Sequence, residues 1–127
     1  NAVVGQRVVR KICPHCRIEF SVPPEVIENI KSVLGKFLPV STGNALKFFK
    51  GKGCSFCSNT GYLGRIGIFE VLSISEQIAK LILEHASSGA IEQASTASGM
   101  VTMKQDGYLK VLEGVTTMEE VLRVAQD

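Results

Sequence analysis

Apolar positions change their period repeatedly along this chain, and each change marks an element. Val4, Val8, Val9 and Ile12 stand among charged residues in a β-branched-rich stretch, Val3 to Ile12, which predicts a strand. After Pro23-Pro24, the residues Val26, Ile27, Ile30 and Leu34 recur at helical spacing, predicting a helix over 24–34 that stops at Gly35. Residues 36–50 hold no clear period, although Leu46, Phe48 and Phe49 suit a short strand. Ser58-Asn59-Thr60-Gly61 is a turn signature, and the run Arg65 to Leu72 is nearly continuous apolar sequence, as in a strand buried on both faces. Its obvious partner is Gln6–Ile12, which gives an antiparallel pair with everything between inserted at the open end. One hairpin does not cover both faces of 66–72, so the sheet is expected to continue in sequence outside this chain.

The remainder predicts helices. Ser73-x-x-Glu76 reads as a capping box before Ile78, Leu81 and Ile82. Ser88-Gly89 breaks that helix, and a weaker one runs over 90–98 to Gly99. A third, about 102–113, carries Met103, Leu109 and Leu112, with Gly107 as an unfavourable interior residue and Gly114 as its stop. Thr116-x-x-Glu119 reads as a capping box for a last helix with Val121, Leu122 and Val124. None is long enough to be stable alone in water, so the four are expected to stack as a compact acidic bundle.

The chemistry is concentrated in four cysteines, Cys13/Cys16 and Cys54/Cys57, two Cys-x-x-Cys knuckles separated by 37 residues. Each knuckle presents two soft ligands from one tight turn, and two together match a tetrahedral Zn²⁺ site. An iron centre uses the same ligand set, and metal-free thiols are the remaining alternative. Four thiolates leave no open position, which points to a structural site. His15, inside the first knuckle, is expected outside the ligand shell. His85 is expected at a helix end on the surface, and Met100, Met103 and Met118 read as core fillers.

Hydrophobic residues make up 45% of the 127, enough for a core and against disorder. No apolar stretch approaches a membrane span, and the first residues lack signal-peptide character. With no initiator Met, the chain is expected to be an excised or processed piece, with the cytoplasm as its default compartment. Net charge is only +2, but residues 1–65 carry +7 and residues 66–127 carry −5. Arg10, Lys11, Arg17, Lys50 and Lys52 flank the cysteines, where they offset the charge of a four-thiolate centre. The basic half lacks the aromatic stacking surface of a nucleic-acid binder. Gly51-Lys52-Gly53 lacks the length and the Ser/Thr of a phosphate loop, and no catalytic triad or carboxylate pair stands out. No ATPase activity is expected from this chain alone.

Gln6-Arg7-Val8-Val9-Arg10-Lys11-Ile12-Cys13-Pro14-His15-Cys16 resembles the segment after the core motifs of bacterial type II secretion and type IV pilus assembly ATPases. The stretch Gly53 through Leu72 is similar to the second knuckle and closing strand of that family. The tail also agrees, with Gly99-Met100 before Thr102-Met103, then Asp106-Gly107, then Glu113 through Val121. The likeness covers nearly the whole chain.

The resemblance implies an α+β piece. Residues 1–12 would be the end of a RecA-like ATPase domain, 13–64 an inserted four-cysteine zinc module, 65–72 the closing strand and 73–127 a helical subdomain. The parents it implies are hexameric motors on the cytoplasmic face of the inner membrane, using ATP and Mg²⁺ bound upstream of this region. Their implied partners are neighbouring subunits, an inner-membrane platform protein and accessory secretion or pilus proteins. Arg7, Arg10 and Arg65 would lie in the ATPase core, where structural ion pairing is the expected role and contact with nucleotide or a neighbouring subunit the alternative. The spacer 17–53 is expected to vary between systems. Retraction motors generally lack the four cysteines, which favours secretion or pilus extension without separating the two. The competing function is a free-standing zinc ribbon that binds nucleic acid or a protein.

Overall fold

The computed structural model describes residues 2–39 and 46–125; residues 40–45, within the stretch that lacked a period, and positions 1, 126 and 127 lie outside the described residues. In chain order the elements are β1 (Ala2–Ile12), β2 (Arg17–Phe20), α1 (Pro24–Leu34), β3 (Phe48–Gly51), β4 (Tyr62–Ser73), α2 (Glu76–Leu83), α3 (Ser88–Ala97), α4 (Met103–Leu112) and α5 (Met118–Val124). The architecture is α+β.

β1 and β4 form the predicted antiparallel hairpin, in a register that opposes Val9 to Ile66 and Arg7 to Ile68. It is longer than the sequence pattern indicated, running from the Ala2–Ser73 pair to the Ile12–Tyr62 pair. One face carries Val9, Ile66 and Ile68 into the core, with Val9 and Ile68 fully buried. The other face does not follow the expectation of two-sided burial: Val4, Val8, Phe69 and Val71 stay 42–60% exposed among the described residues. Strand alternation places these side chains on the face opposite Val9 and Ile68, and no element among the described residues buries them. β2 and β3 form a separate two-stranded sheet. β2, only four residues long, carried no element in the sequence reading.

One continuous core joins parts that the sequence suggested were separate. Val9 and Ile68 from the hairpin, Ile30 and Leu34 from α1, and Phe48 from β3 cluster with Tyr108, Val111, Val121 and Ala125. α1 spans 24–34 as predicted and packs on α4. There Tyr108 donates its hydroxyl to Asn29 Oδ1 at 3.2 Å, and the Gln105 side-chain amide donates to the Val33 carbonyl at 2.9 Å.

The helices do not form the expected single bundle. α4 packs on β4, α1 and α5, and α5 on β1, whereas α2 packs principally on α3. No residue of α2 or α3 joins the main core. Two caps also differ from the sequence reading. Ser73 is still paired within β4, so Ser75 caps α2 by accepting from the Ile78 N–H. Thr116 is fully buried and donates to the Arg10 carbonyl at 2.8 Å, so its neighbour Thr117 caps α5 through the Glu120 N–H. Ser88 and Gly89 lie inside the first turn of α3, capped by Ser87, and the break falls instead at His85, whose φ is 57°. An unforeseen capping box, Thr102 with Gln105, opens α4.

Gly107 sits where α5 crosses α4, and a Cβ there would meet Val121 Cγ1 at 2.6 Å. Val121 is fully buried and β-branched, so it cannot rotate away. Gly107→Ala is therefore predicted to destabilise by about 1–3 kcal/mol, although alanine favours an ordinary helix interior by about 1 kcal/mol. Chemical denaturation of the two proteins gives the sign directly, and a stabilised variant would refute the close crossing.

Glu120 was not anticipated as a structural residue. Its side chain is 3% exposed and bridges α5 to β1, accepting the Arg10 backbone N–H at 2.7 Å and the Arg10 guanidinium at 3.0 Å. Arg123 donates to it at 3.0 Å. Burial pushes the Glu120 carboxyl up, but the hydrogen bonds from Arg10 and Arg123 outweigh this and hold it down at about 2.

Candidate metal centre

The register of β1 and β4 brings the two knuckles together at the open end of the hairpin. Cys13 directly follows β1, and its N–H donates to the Gly61 carbonyl at 2.9 Å, extending the ladder by one bond. Lys52 N–H donates to the Cys16 carbonyl at 3.0 Å, which fixes the first knuckle against the strand leading to the second. Residues Ser55–Cys57 form a single 3₁₀ turn, and the predicted Ser58–Gly61 turn follows with Ser58, Asn59 and Gly61 at positive φ. Gly51 and Gly61 meet backbone to backbone, and a Cβ on either would overlap the other. This contact links the β3 strand to the turn that closes the site, and neither glycine stood out for it in the sequence.

The four sulfurs lie within 4.8 Å of one another. Cys13–Cys54, Cys16–Cys57 and Cys54–Cys57 are separated by 3.8, 3.9 and 3.7 Å. A regular tetrahedron of thiolates about 2.3 Å from a zinc ion has edges of about 3.8 Å, so these three separations are those of a filled site. These distances are far beyond a disulfide bond, and all four cysteines are free. Among the described residues no other group of three or more His, Cys, Asp or Glu is placed to hold a metal.

Backbone amides complete the electrostatics. Gly53 N–H points to Cys16 Sγ at 3.3 Å, and Cys54 and Gly61 N–H groups point to Cys57 Sγ at 3.3 and 3.2 Å. Such donors stabilise thiolate over thiol. Burial pushes the Cys57 thiol up, but the amides of Cys54 and Gly61 and the adjoining sulfurs outweigh it and bring it to about 6. Burial moves Cys16 the other way, upward, against the single Gly53 amide. A divalent ion entering this quartet displaces the remaining protons. Four sulfurs close its shell, so the arrangement can hold a metal but offers no position to water or substrate.

The other singled-out residues lie elsewhere. His15 turns away from the sulfurs and stacks on Phe56, ring centroids 3.9 Å apart, at the exposed tips of the two knuckles. His85 is exposed at the end of α2. Arg10 stacks over the Tyr62 ring at 4.1 Å while bonding Glu120, the ion-pairing role expected of it. Arg7 donates to the neighbouring Gln6 carbonyl, and Arg65 stands opposite Arg10 on the ladder. No helix among the described residues is long and apolar enough to cross a membrane.

Residues 1–123 match the family described as type II/IV secretion system protein. The type IV pilus assembly ATPase PilB of Thermus thermophilus is 36% identical over 120 residues, 94% of this chain but 13% of its own length. The PilB of Pseudomonas aeruginosa is 34% identical over 127 residues, 100% of this chain and 21% of its own. The type II secretion system protein E of Xanthomonas campestris is 36% identical over 127 residues, again 100% and 21%. The chain thus spans between an eighth and a quarter of the length of such relatives. With a matching profile over nearly all its residues, the chain belongs to the type II/IV secretion system protein family.

Proposed function

We propose that Cys13, Cys16, Cys54 and Cys57 hold one structural zinc ion in the C-terminal part of a hexameric ATPase that drives type II secretion or type IV pilus assembly. The observation that carries the metal reading is the cluster of four sulfurs within 4.8 Å of one another, three of its separations at 3.7–3.9 Å, the edge length that four Zn–S bonds give. In this reading 1–12 and 65–72 are strands of the ATPase core, 13–64 is the metal module and 73–127 the helical part. Nucleotide and Mg²⁺ would bind elsewhere in the whole protein, because the sequence has no phosphate loop and the one metal-ligating cluster among the described residues has a closed shell. The whole protein would work in the cytoplasm at the inner membrane, against neighbouring subunits and a membrane platform protein. The exposed apolar face of β1 and β4 supports this assignment, since a core strand pair cut from its sheet would leave such a face uncovered.

Metal analysis of the purified chain tests the site, with one zinc per folded chain expected. A folded chain carrying substantially less than one equivalent of any metal would remove the structural-zinc reading.

A further inference from the structure

Resting on the metal reading above, we infer that occupancy of the four-cysteine site is transmitted to α4 and α5, and not to α2 and α3, with Arg17 as the principal link. Arg17 follows Cys16 directly. Its guanidinium lies over the Phe49 ring at 4.7 Å and donates to the Gly114 carbonyl at 3.2 Å, in the turn between α4 and α5. That turn fits tightly, since a Cβ on Gly114 would meet Arg17 Nη1 at 2.8 Å and Phe49 at 3.0 Å. The same turn is held by two more residues, one next to a ligand and one next to an amide that bonds a ligand. Ile12, next to Cys13, donates its N–H to the Val115 carbonyl at 2.8 Å. Tyr62, which follows the Gly61 amide that bonds Cys57 Sγ, shares a 2.8 Å hydrogen bond with the Thr117 hydroxyl.

Three anchors of one turn therefore come from positions immediately next to the metal-binding loops. Thr117 is also the cap of α5, and Glu120 one turn later returns to Arg10 on β1. Releasing the sulfurs frees the ends of β1 and β2 together and withdraws the anchors from 113–117. α2 and α3 share none of these contacts. They contribute nothing to the common core, and an open groove of about 570 Å³ lies where Ile78 and Ser95 face Phe69, Val71 and Leu109. Because the anchors are local, the loss should spread as partial opening of one cooperative unit and not as uniform unfolding.

Hydrogen exchange read by mass spectrometry on the chain with zinc bound and after chelation tests this, with cobalt substitution as an independent monitor of four-sulfur ligation. Chelation is expected to speed exchange about tenfold or more over 103–124 together with 12–34 and 48–61, and less than about twofold over 76–97. In the metal-loaded Arg17→Ala chain, with the sulfur-to-cobalt absorption retained, α5 amides are expected to exchange at least about threefold faster than wild type. Phe49→Leu, which removes the ring beneath Arg17, should move α5 in the same direction. Unchanged α5 protection on chelation, equal deprotection of α3 and α5, or wild-type α5 protection in both variants would overturn the coupling. Absence of the sulfur-to-cobalt absorption in the wild-type chain would overturn the metal reading on which it rests.

Discussion

Replacing Cys57 by serine will abolish stoichiometric zinc binding and unfold the metal module. Cys57 is the most constrained of the four positions, 5% exposed, receiving two backbone amides and lying within 4 Å of two other sulfurs. Serine supplies a shorter, harder oxygen that stays protonated at neutral pH, so one bond of the tetrahedron is lost and two amides face a poorer acceptor. Structural zinc contributes on the order of 10 kcal/mol in small modules, comparable with the whole stability of a domain, roughly 5–15 kcal/mol. Metal content after dialysis and a melting curve will show the effect together. His15→Ala is the control, expected to retain one zinc because the ring stacks on Phe56 outside the sulfur cluster. A Cys57→Ser protein holding zinc as tightly as wild type would sink the assignment.

Removing Glu120 will have the second largest effect. Glu120→Ala leaves the Arg10 amide without its carboxylate acceptor beside a void, while the half-exposed guanidinium groups of Arg10 and Arg123 turn to water, and losing such a charge-assisted hydrogen bond costs about 2–3 kcal/mol. The same carboxylate gives the chain an acid-sensitive margin. Its folded pKa, about 2, lies below the unfolded value of 4.5, so its stabilisation is complete above pH 4.5 and declines as pH falls toward 2. The span corresponds to on the order of 3 kcal/mol. Acid also protonates the thiolates, so the informative quantity is the difference between wild type and Glu120→Gln. That difference should shrink steadily from pH 5 to pH 2.5, where the unfolded wild-type chain takes up a proton on Glu120 while the folded chain stays mostly ionised. A difference independent of pH would mean that Glu120 is not held as an anion.

The features legible in the sequence were those set by neighbours along the chain. The knuckle spacing located the sulfurs because each pair is a local turn, and α1 was bounded correctly because Pro24 and Gly35 act on their own backbone. The long strand was visible from its composition. What escaped depends on distant partners. Glu120 looks like any charge in a helical first turn until Arg10, 110 residues earlier, is placed beside it. Gly107 looks like a weak point because the reason for it is Val121 on another helix. The caps of α2 and α5 were misplaced by two residues and one because Ser73 and Thr116 already serve the sheet. The bundle failed for a related reason. Periodicity reports that a helix has an apolar stripe, and α4 and α5 spend theirs on the hairpin and α1.

The hairpin has one further consequence, which concerns the order in which the chain assembles. Ile12 and Tyr62 close a pair whose strands are separated by roughly fifty residues, and contacts that distant in sequence are slow to form because a long loop must close first. The sulfurs sit one residue beyond that pair on one strand and a few residues before it on the other. With the ion bound, the path between the strands is only a handful of atoms, and the free-energy cost of closure falls by about 2 kcal/mol. Kinetically the ion then takes the place of a tight reverse turn, from which β1 and β4 zip toward Ala2 and Ser73. Refolding should accordingly be faster when zinc is present from the start than when it is added after collapse.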